Sequence, residues 1–512
     1  MNTPETSGAS TVEELPGPLQ GSRWVTTLDV AVLVGLAAVS GALRVDPLGP
    51  ESLWLDDAWI ALAHKAESVR ELALVGLTAP GFAAILNGWI GLVGFSSVKA
   101  QLLPFLFGVA APPALYVALV RRGVSRTAAL VGAALIAFST VHATYSTHVK
   151  QYTLEALVAI ALIALFWWLI EEPGKPHRWW VAAGASIAAV SFSSPSIAYV
   201  GAGLACALVV ARARHKLSAT AVAASATAVG FIGLWWWFAL RPRVNSELER
   251  FFRDESISLS GPRAALTGLY DAVAAVAGGA VALPEGVALA IVLASFAVAL
   301  WRKTARALVL LLPLLLAIAL AALDRAPLGT GRTDIYLYPA VAAAVALALH
   351  ELQSRRWELG AGAAALLVAG LLIDLTPARP YPEENISPLV ATIEEESSPT
   401  DAVLVYHVSG FAFGLYTSWP IDFVKAPQYT TGWQVRVERP NVVILNFHRP
   451  NPSRYGWALD RVRESYRVVW FVSSHFAPDV RAIERKLRQR GYRQTLSTQL
   501  VGARLSRWVR DG

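Results

Sequence analysis

The chain has 512 residues, 55% of them hydrophobic and only 16% charged, with a mean hydropathy of +0.46. Soluble domains carry roughly 25% charged residues, so this balance excludes a water-soluble globular protein and calls for a bilayer around runs of about 18 or more apolar residues. The net charge of +7, from 44 basic and 37 acidic residues, would suit nucleic acid if it were clustered, but much of it lies in short loops between apolar runs, where it reports topology.

Residues 1–26 are polar and rich in Thr, Glu, Pro and Gly, without the basic and apolar regions of a cleaved signal, and read as a disordered cytosolic tail. Apolar runs follow at about 27–43, 100–120, 127–143, 153–170, 179–194, 196–211, 218–240, 284–301, 307–323, 335–352 and 358–375, eleven predicted crossings. The one cysteine, Cys206, falls within such a run, which excludes an intramolecular disulfide and a Cys-rich zinc site. Basic clusters sit at Arg121, Arg122 and Arg126; at Lys175 and Arg178; at Arg212, Arg214 and Lys216; at Arg302, Lys303 and Arg306; and at Arg355 and Arg356. All of them fall on one side if the N-terminus is cytoplasmic, because Lys and Arg collect there. The C-terminal region is then extracytoplasmic.

Pro80–Phe95 is apolar and uncharged over 16 residues, yet a crossing there would flip every later loop. It is therefore read as an interfacial or re-entrant helix within a long outer loop. The paired tryptophans Trp167–Trp168, Trp179–Trp180 and Trp235–Trp236–Trp237 stand near run ends and read as headgroup belts. After Thr376 the polarity becomes ordinary, Pro377, Pro380 and Pro382 suggest a stiff linker, and 377–512 reads as a separate domain. Strands are predicted at Ala402–Tyr406, Asn441–Phe447 and Arg467–Val472, helices at Tyr455–Glu464 and Pro478–Gly491, and final strands within Gln494–Leu505. Their alternation suggests an α/β layer with a partly parallel sheet.

Three polar constellations lie in the outer loops. Asp56 and Asp57 are adjacent carboxylates in Leu53–Trp59, flanked by aromatics; partial dehydration would raise their proton affinity and suit one to take a proton from a sugar hydroxyl, whereas a solvated helix start is the simpler alternative. Tyr145–Tyr152 holds His148, Lys150 and Tyr152 at the membrane boundary, where an ammonium suits a lipid-anchored phosphate and also suits plain snorkelling. Arg332, in Gly329–Asp334, lies where positive charge is disfavoured and therefore implies an anionic partner, either a ligand or Asp334 or Asp324. The loop 241–263 reads as an amphipathic surface helix or lid, and Ser409, His407 and His475 read as structural because no nucleophile elbow surrounds them.

Taken in order, LWLDDA at Leu53–Ala58, Ala79–Pro80–Gly81 followed by an apolar stretch and Gly94, YSTHVKQY at Tyr145–Tyr152, and Arg332 ahead of Tyr338–Pro339 resemble the GT-C class of membrane glycosyltransferases. That group includes protein O-mannosyltransferases, the lipid A aminoarabinose transferase and bacterial enzymes using polyprenyl-phosphate sugars. The resemblance covers about residues 25 to 376. It implies an α-helical polytopic fold with about eleven transmembrane helices and an appended extracytoplasmic α/β domain. It also implies inverting transfer of a monosaccharide from a polyprenyl-phosphate donor to a glycan, lipid or protein acceptor of the cell envelope. By position Asp56 would be the base, Asp57 stands where the group has Glu, and Lys150, Tyr152 and Arg332, with His148 beside them, would face the donor phosphate. His148 replaces a residue that is commonly acidic, which argues against a divalent metal, and no cofactor is expected. Membrane lipids are the other expected partners, nucleic acid is not, and alanine and arginine richness points to a bacterial plasma membrane. A transporter or flippase is the competing class, since polar groups near membrane level also line substrate pathways.

Overall fold

The structure is a computed structural model, and it describes residues 26–49, 51–75, 80–241, 245–257, 260–373, 384–426, 429, 431–445, 455–475 and 480–511. The predicted N-terminal tail and the proline linker at 377–382 lie outside the described residues. Helix α1 (Thr27–Ala42) starts at a capping box in which Thr26 and Asp29 satisfy each other's backbone amides. Then come α2 (Leu55–Ala61) with a 3₁₀ turn at Leu62–Lys65, α3 (Val69–Val75), α4 (Pro80–Val93) and α5 (Ser97–Arg121). The apolar run predicted at 127–143 is broken at Ser139 into α6 (Arg126–Phe138) and α7 (Thr140–Tyr145), because the Ser139 hydroxyl accepts from the His142 amide and caps a new helix.

The bundle continues with α8 (Tyr152–Glu171), α9 (Pro176–Phe192), α10 (Ser196–Ala213) and α11 (Ala219–Trp235), the last running into a π-helical turn at Trp236–Leu240. Next are α12 (Ser246–Asp254), α13 (Pro262–Val281), α14 (Glu285–Ala322), α15 (Tyr338–Arg355) and α16 (Trp357–Ile373). Among the described residues eight helical segments are long and apolar enough to cross a bilayer, or nine if the bent pair α3 and α4 counts as one. Seven of the eight coincide with predicted runs, and the two halves of α14, Glu285–Arg302 and Ala305–Ala322, supply two of those. The runs at 27–43, 127–143 and 358–375 form shorter apolar helices, and the run at 179–194 is α9. The eighth long segment, α13, was not predicted, although its mean hydropathy of 1.5 equals that of Ala219–Leu240. At the centre, α15 is 78% buried, and its run of alanines lets α6, α13 and α14 approach closely.

The basic clusters gather at one end of this bundle. Arg122 and Arg306 share Glu171 at 2.6 and 2.9 Å, Arg214 donates to the Ile170 carbonyl at 2.9 Å, Arg178 pairs with Glu172, Lys216 packs at Gly174, and Arg355 lies over Trp301. Arg126 bonds Asp29 of α1 at 2.7 Å, which brings the start of the bundle to the same end. Arg44, just past α1, is buried at the opposite end, donating to the Ile136 and Ala137 carbonyls and to Ser146. Since α1 leaves the basic end and α5 returns to it, the segment between them, α4 included, starts and finishes at the far end. The parity reading of Pro80–Phe95 agrees with this geometry. Helix α13 behaves alike. Just ahead of it Glu255 accepts from the Leu328 amide, and near its end Gly279 accepts from Ser139, so both flanks are held at the far end despite its span-like length. The belt reading of the tryptophans holds in part: Trp180, Trp236 and Trp237 are exposed, but Trp167 and Trp179 are fully buried, donating to the carbonyls of Arg306 and Pro173.

After residue 384 come α17 (Ser387–Glu396), β1 (Ala402–Val405), α18 (Gly410–Tyr416), β2 (Ile421–Lys425), β3 (Trp433–Val437) and β4 (Val442–Ile444). The chain ends with α19 (Gly456–Ser465), β5 (Val468–Ser474), α20 (Val480–Gln489), β6 (Tyr492–Leu500) and β7 (Ala503–Arg510). One sheet has the order β4-β1-β5-β7-β6, with β4, β1 and β5 parallel and β7 and β6 antiparallel, as the strand–helix alternation implied. The sequence reading missed α17, α18 and the β2–β3 hairpin. The sheet is buried on both faces. Val403, Val405, Trp470 and Val472 share a core with Leu53, Ala58, Ile60 and Leu86 of the bundle, while Leu404, Val469, Phe471 and Trp508 pack under Leu459, Val462, Ile483 and Leu487 of α19 and α20.

Candidate active site

Helix α2 carries the acidic pair at its first turn, where a helix N-terminus favours negative charge. Successive residues on a helix point about 100° apart, so the two carboxylates meet different partners. Asp56 Oδ2 lies 3.3 Å from Arg332 Nη1, and Asp57 Oδ2 lies 3.0 Å from His148 Nδ1. Asp56 and Arg332 are partly exposed, at 20% and 27% of their side-chain surface, whereas Asp57 and His148 are buried. Lys150 is also buried, its ammonium 4.0 Å above the Trp59 ring, and Tyr152 stands edge-on to Tyr145 at the start of α8. Every site residue singled out in the sequence thus lies in one region at the far end of the bundle, built by α2, the loop 146–151 and the loop 324–334.

The Arg332 partner differs from both candidates within its own loop. Asp334 is buried and turns back to accept from the Gly331 amide at 3.0 Å, where burial pushes its carboxyl up to about 6 against the pull of the loop amides. Asp334 therefore shapes the turn, and Arg332 reaches across 276 positions to Asp56 and over the Phe251 ring of α12. Gly331, at φ +77°, supplies the left-handed residue that the turn requires. Beneath Lys150, Arg44 holds the loop through Ser146 and stands 3.0 Å from His142 Nδ1.

Electrostatically the site is mixed. Burial holds the Lys150 ammonium down to about 8; Asp56 and Asp57 pull it up and Arg332 pushes it further down. Asp57 Oδ1 is buried and has no hydrogen bond among the described residues, an arrangement that costs about 1–3 kcal/mol unless a bound molecule satisfies it. Among the described residues no three His, Cys, Asp or Glu side chains converge as a metal set.

The C-terminal unit closes one side. Helix α18 packs on α2, and its Tyr416 hydroxyl accepts from the Leu53 amide at 2.5 Å, while Lys65 donates to the carbonyls of Gly414 and Thr417 at 2.8 and 2.6 Å. His475, at the end of β5 with φ +63°, pairs with Glu384 at 2.5 Å, and its ring centroid lies 6.0 Å from that of Trp54, which on its other side is 6.2 Å from His148. Bonding to Glu384 raises the His475 pKa, burial raises that of Glu384, and both feel Asp56. His475 thus also borders the acidic pair, a placement that the structural reading did not anticipate. A non-glycine left-handed residue at a strand end would have been the signal, but φ is not legible in sequence. Ser409 and His407 sit in structural surroundings, Ser409 exchanging hydrogen bonds with the Ser474 backbone and the His407 carbonyl accepting from Gln434 Nε2.

Residues 78–237 match the family model of dolichyl-phosphate-mannose-protein mannosyltransferase, a stretch that contains His148, Lys150 and Tyr152. No curated protein matches the sequence. Among solved structures, ArnT from Cupriavidus metallidurans bound to undecaprenyl phosphate superposes with a TM-score of 0.56 at 12% identity, covering 94% of this chain and 97% of that one. ArnT from the same organism in the apo state gives 0.55 at 14% identity, covering 93% and 97%. These identities speak for the fold, which extends over nearly all of both chains, bundle and C-terminal unit together. By these likenesses this multi-pass membrane chain has the GT-C fold seen in ArnT.

Proposed function

We propose that the protein transfers a monosaccharide from a polyprenyl-phosphate donor to an envelope acceptor on the extracytoplasmic face of a bacterial plasma membrane. One observation carries the reading: the two α2 carboxylates meet Arg332 and His148 from separate loops around the buried Lys150, opposite the basic end. A departing lipid phosphate needs fixed cations, and an attacking hydroxyl needs a carboxylate beside it. Asp56, the more exposed of the pair, takes the hydroxyl proton as the oxygen attacks the anomeric carbon. The bond from that carbon to the phosphate oxygen breaks, and the polyprenyl phosphate leaves with its charge shared by Lys150 and Arg332. Attack from the side opposite the phosphate inverts the configuration. Tyr152 lines the phosphate side, and Asp57, tied to His148, hydrogen-bonds the sugar or acceptor through its free oxygen. The undecaprenyl phosphate in the Cupriavidus metallidurans ArnT structure supports this donor class. Trp54, between His148 and His475, offers an aromatic face for a sugar ring, which makes the boundary with the C-terminal unit the acceptor side.

Binding of undecaprenyl phosphate to the purified protein tests the donor half. Lys150→Ala or Arg332→Ala should weaken it about tenfold or more, the loss of one charge-assisted contact of about 1.5–3 kcal/mol. Undiminished affinity in both variants would refute the assignment of the phosphate site.

A further inference from the structure

Charge is unevenly distributed along the chain. Residues 456–511 hold 12 Lys and Arg against 5 Asp and Glu, a net +7 equal to that of the whole chain, so the remainder sums to zero. The fold places several of these cations on one surface, while Arg507 lies over Trp470 on the other side of the sheet. Helix α20 buries Val480, Ile483 and Leu487 against the sheet, which turns Arg481, Arg485 and Arg488 outward at the i, i+4, i+7 spacing of one helical stripe. Arg461 and Arg463 of α19 and Arg493 at the start of β6 are exposed alongside. Two acids of these helices are already engaged, Asp460 by Arg490 at 2.8 Å and Glu484 by Arg504 at 3.0 Å, which leaves Glu464 of α19 as an exposed acid beside the stripe.

Orientation narrows the partner. The sheet face bearing Val403, Val405 and Trp470 packs on α2 and the bundle, whereas α19 and α20 cover the other face. The sheet therefore stands between the basic stripe and the spanning helices, and the stripe looks away from the headgroups of the protein's own membrane. Isolated exposed ion pairs are weak, so a spread of single guanidinium groups gains little from a small anion. A polymer with repeated carboxylates or phosphates engages several at once, each pairing through a planar fork, and the contacts reinforce one another.

We propose that this outward face docks an anionic polysaccharide and holds the acceptor polymer close to the site. The inference rests on the glycosyl-transfer reading for its choice of a glycan over other polyanions. The test uses the full chain in nanodiscs of zwitterionic lipid with polygalacturonate as the probe, neutral dextran as the control, and the variant R461E/R481E/R485E, which spares Arg488 because it lies over the core ring of Trp508. Binding to polygalacturonate and not to dextran is expected, weakening with salt. The variant should bind at least about tenfold more weakly, with unchanged undecaprenyl phosphate binding and unchanged thermal unfolding. Equal binding by the variant, or a wild-type preference for phosphatidylglycerol vesicles over polygalacturonate, would overturn the proposal. Loss of undecaprenyl phosphate binding in the wild type, with polygalacturonate still bound, would instead count against the transfer reading.

Discussion

A lysine buried over an indole, with two carboxylates and a guanidinium around it, keeps its proton less tightly than one in water. With its pKa held down to about 8, the Lys150 charge is present below that pH and lost as pH rises through it. Affinity for undecaprenyl phosphate should therefore fall between about pH 7 and 9 in the wild type and hold steady in Lys150→Arg, whose guanidinium stays charged. A titration in which both proteins respond alike would exclude Lys150 as the source. The acidic pair and Lys150 were legible as residues because the first breaks an apolar stretch of the long outer loop and the second stands just ahead of a predicted span. Their partners were not. Asp56 and Arg332 are separated by 276 positions, and the nearer acids, Asp324 and Asp334, offered a simpler pairing, although the turn at Gly331 directs Asp334 inward. His475 and Glu384 were missed for the same reason: only the docking of the C-terminal unit on α2 brings them to Asp56.

Elements were legible where hydropathy or strand periodicity was strong. The buried strands β1 and β5 and helices α19 and α20 came out close to their predicted bounds, since each has a clear apolar face. Helix α13 was missed although its hydropathy matches that of the predicted run at 218–240, and its small residues do its packing. A Cβ on Gly279 would lie 2.1 Å from the Tyr338 hydroxyl at the start of α15. Gly279→Ala should thus cost about 1–3 kcal/mol by overpacking, seen as a lower apparent Tm. Tyr338→Phe in the same chain removes the closest atom and should recover part of that loss. An unchanged Tm for the single variant would show that α13 and α15 do not meet as described. Gly81 has a comparable constraint, since its Cβ would come 2.6 Å from the Ser191 carbonyl, which ties the start of α4 to the end of α9.

Across the whole molecule, the charged groups divide between two opposite ends. Glu171 collects the arginines at one, and α2 with its loops gathers the acids, Lys150 and Arg332 at the other. A topology reporter fused after Arg122 should score cytoplasmic and one fused after Asp511 extracytoplasmic; the same side for both would break the parity on which the outer-face site depends. Loop charge made this arrangement readable in the sequence, whereas the contact between the sheet and α2 joins distant segments that no local pattern connects. The central claim, transfer with Asp56 as base, is tested most directly by measuring sugar release from a panel of polyprenyl-phosphate sugars onto envelope acceptors, comparing wild type with Asp56→Asn. The account predicts transfer by the wild type and a loss of about 10²–10⁴-fold in the variant, with undecaprenyl phosphate binding retained. Transfer by Asp56→Asn at the wild-type rate would contradict it.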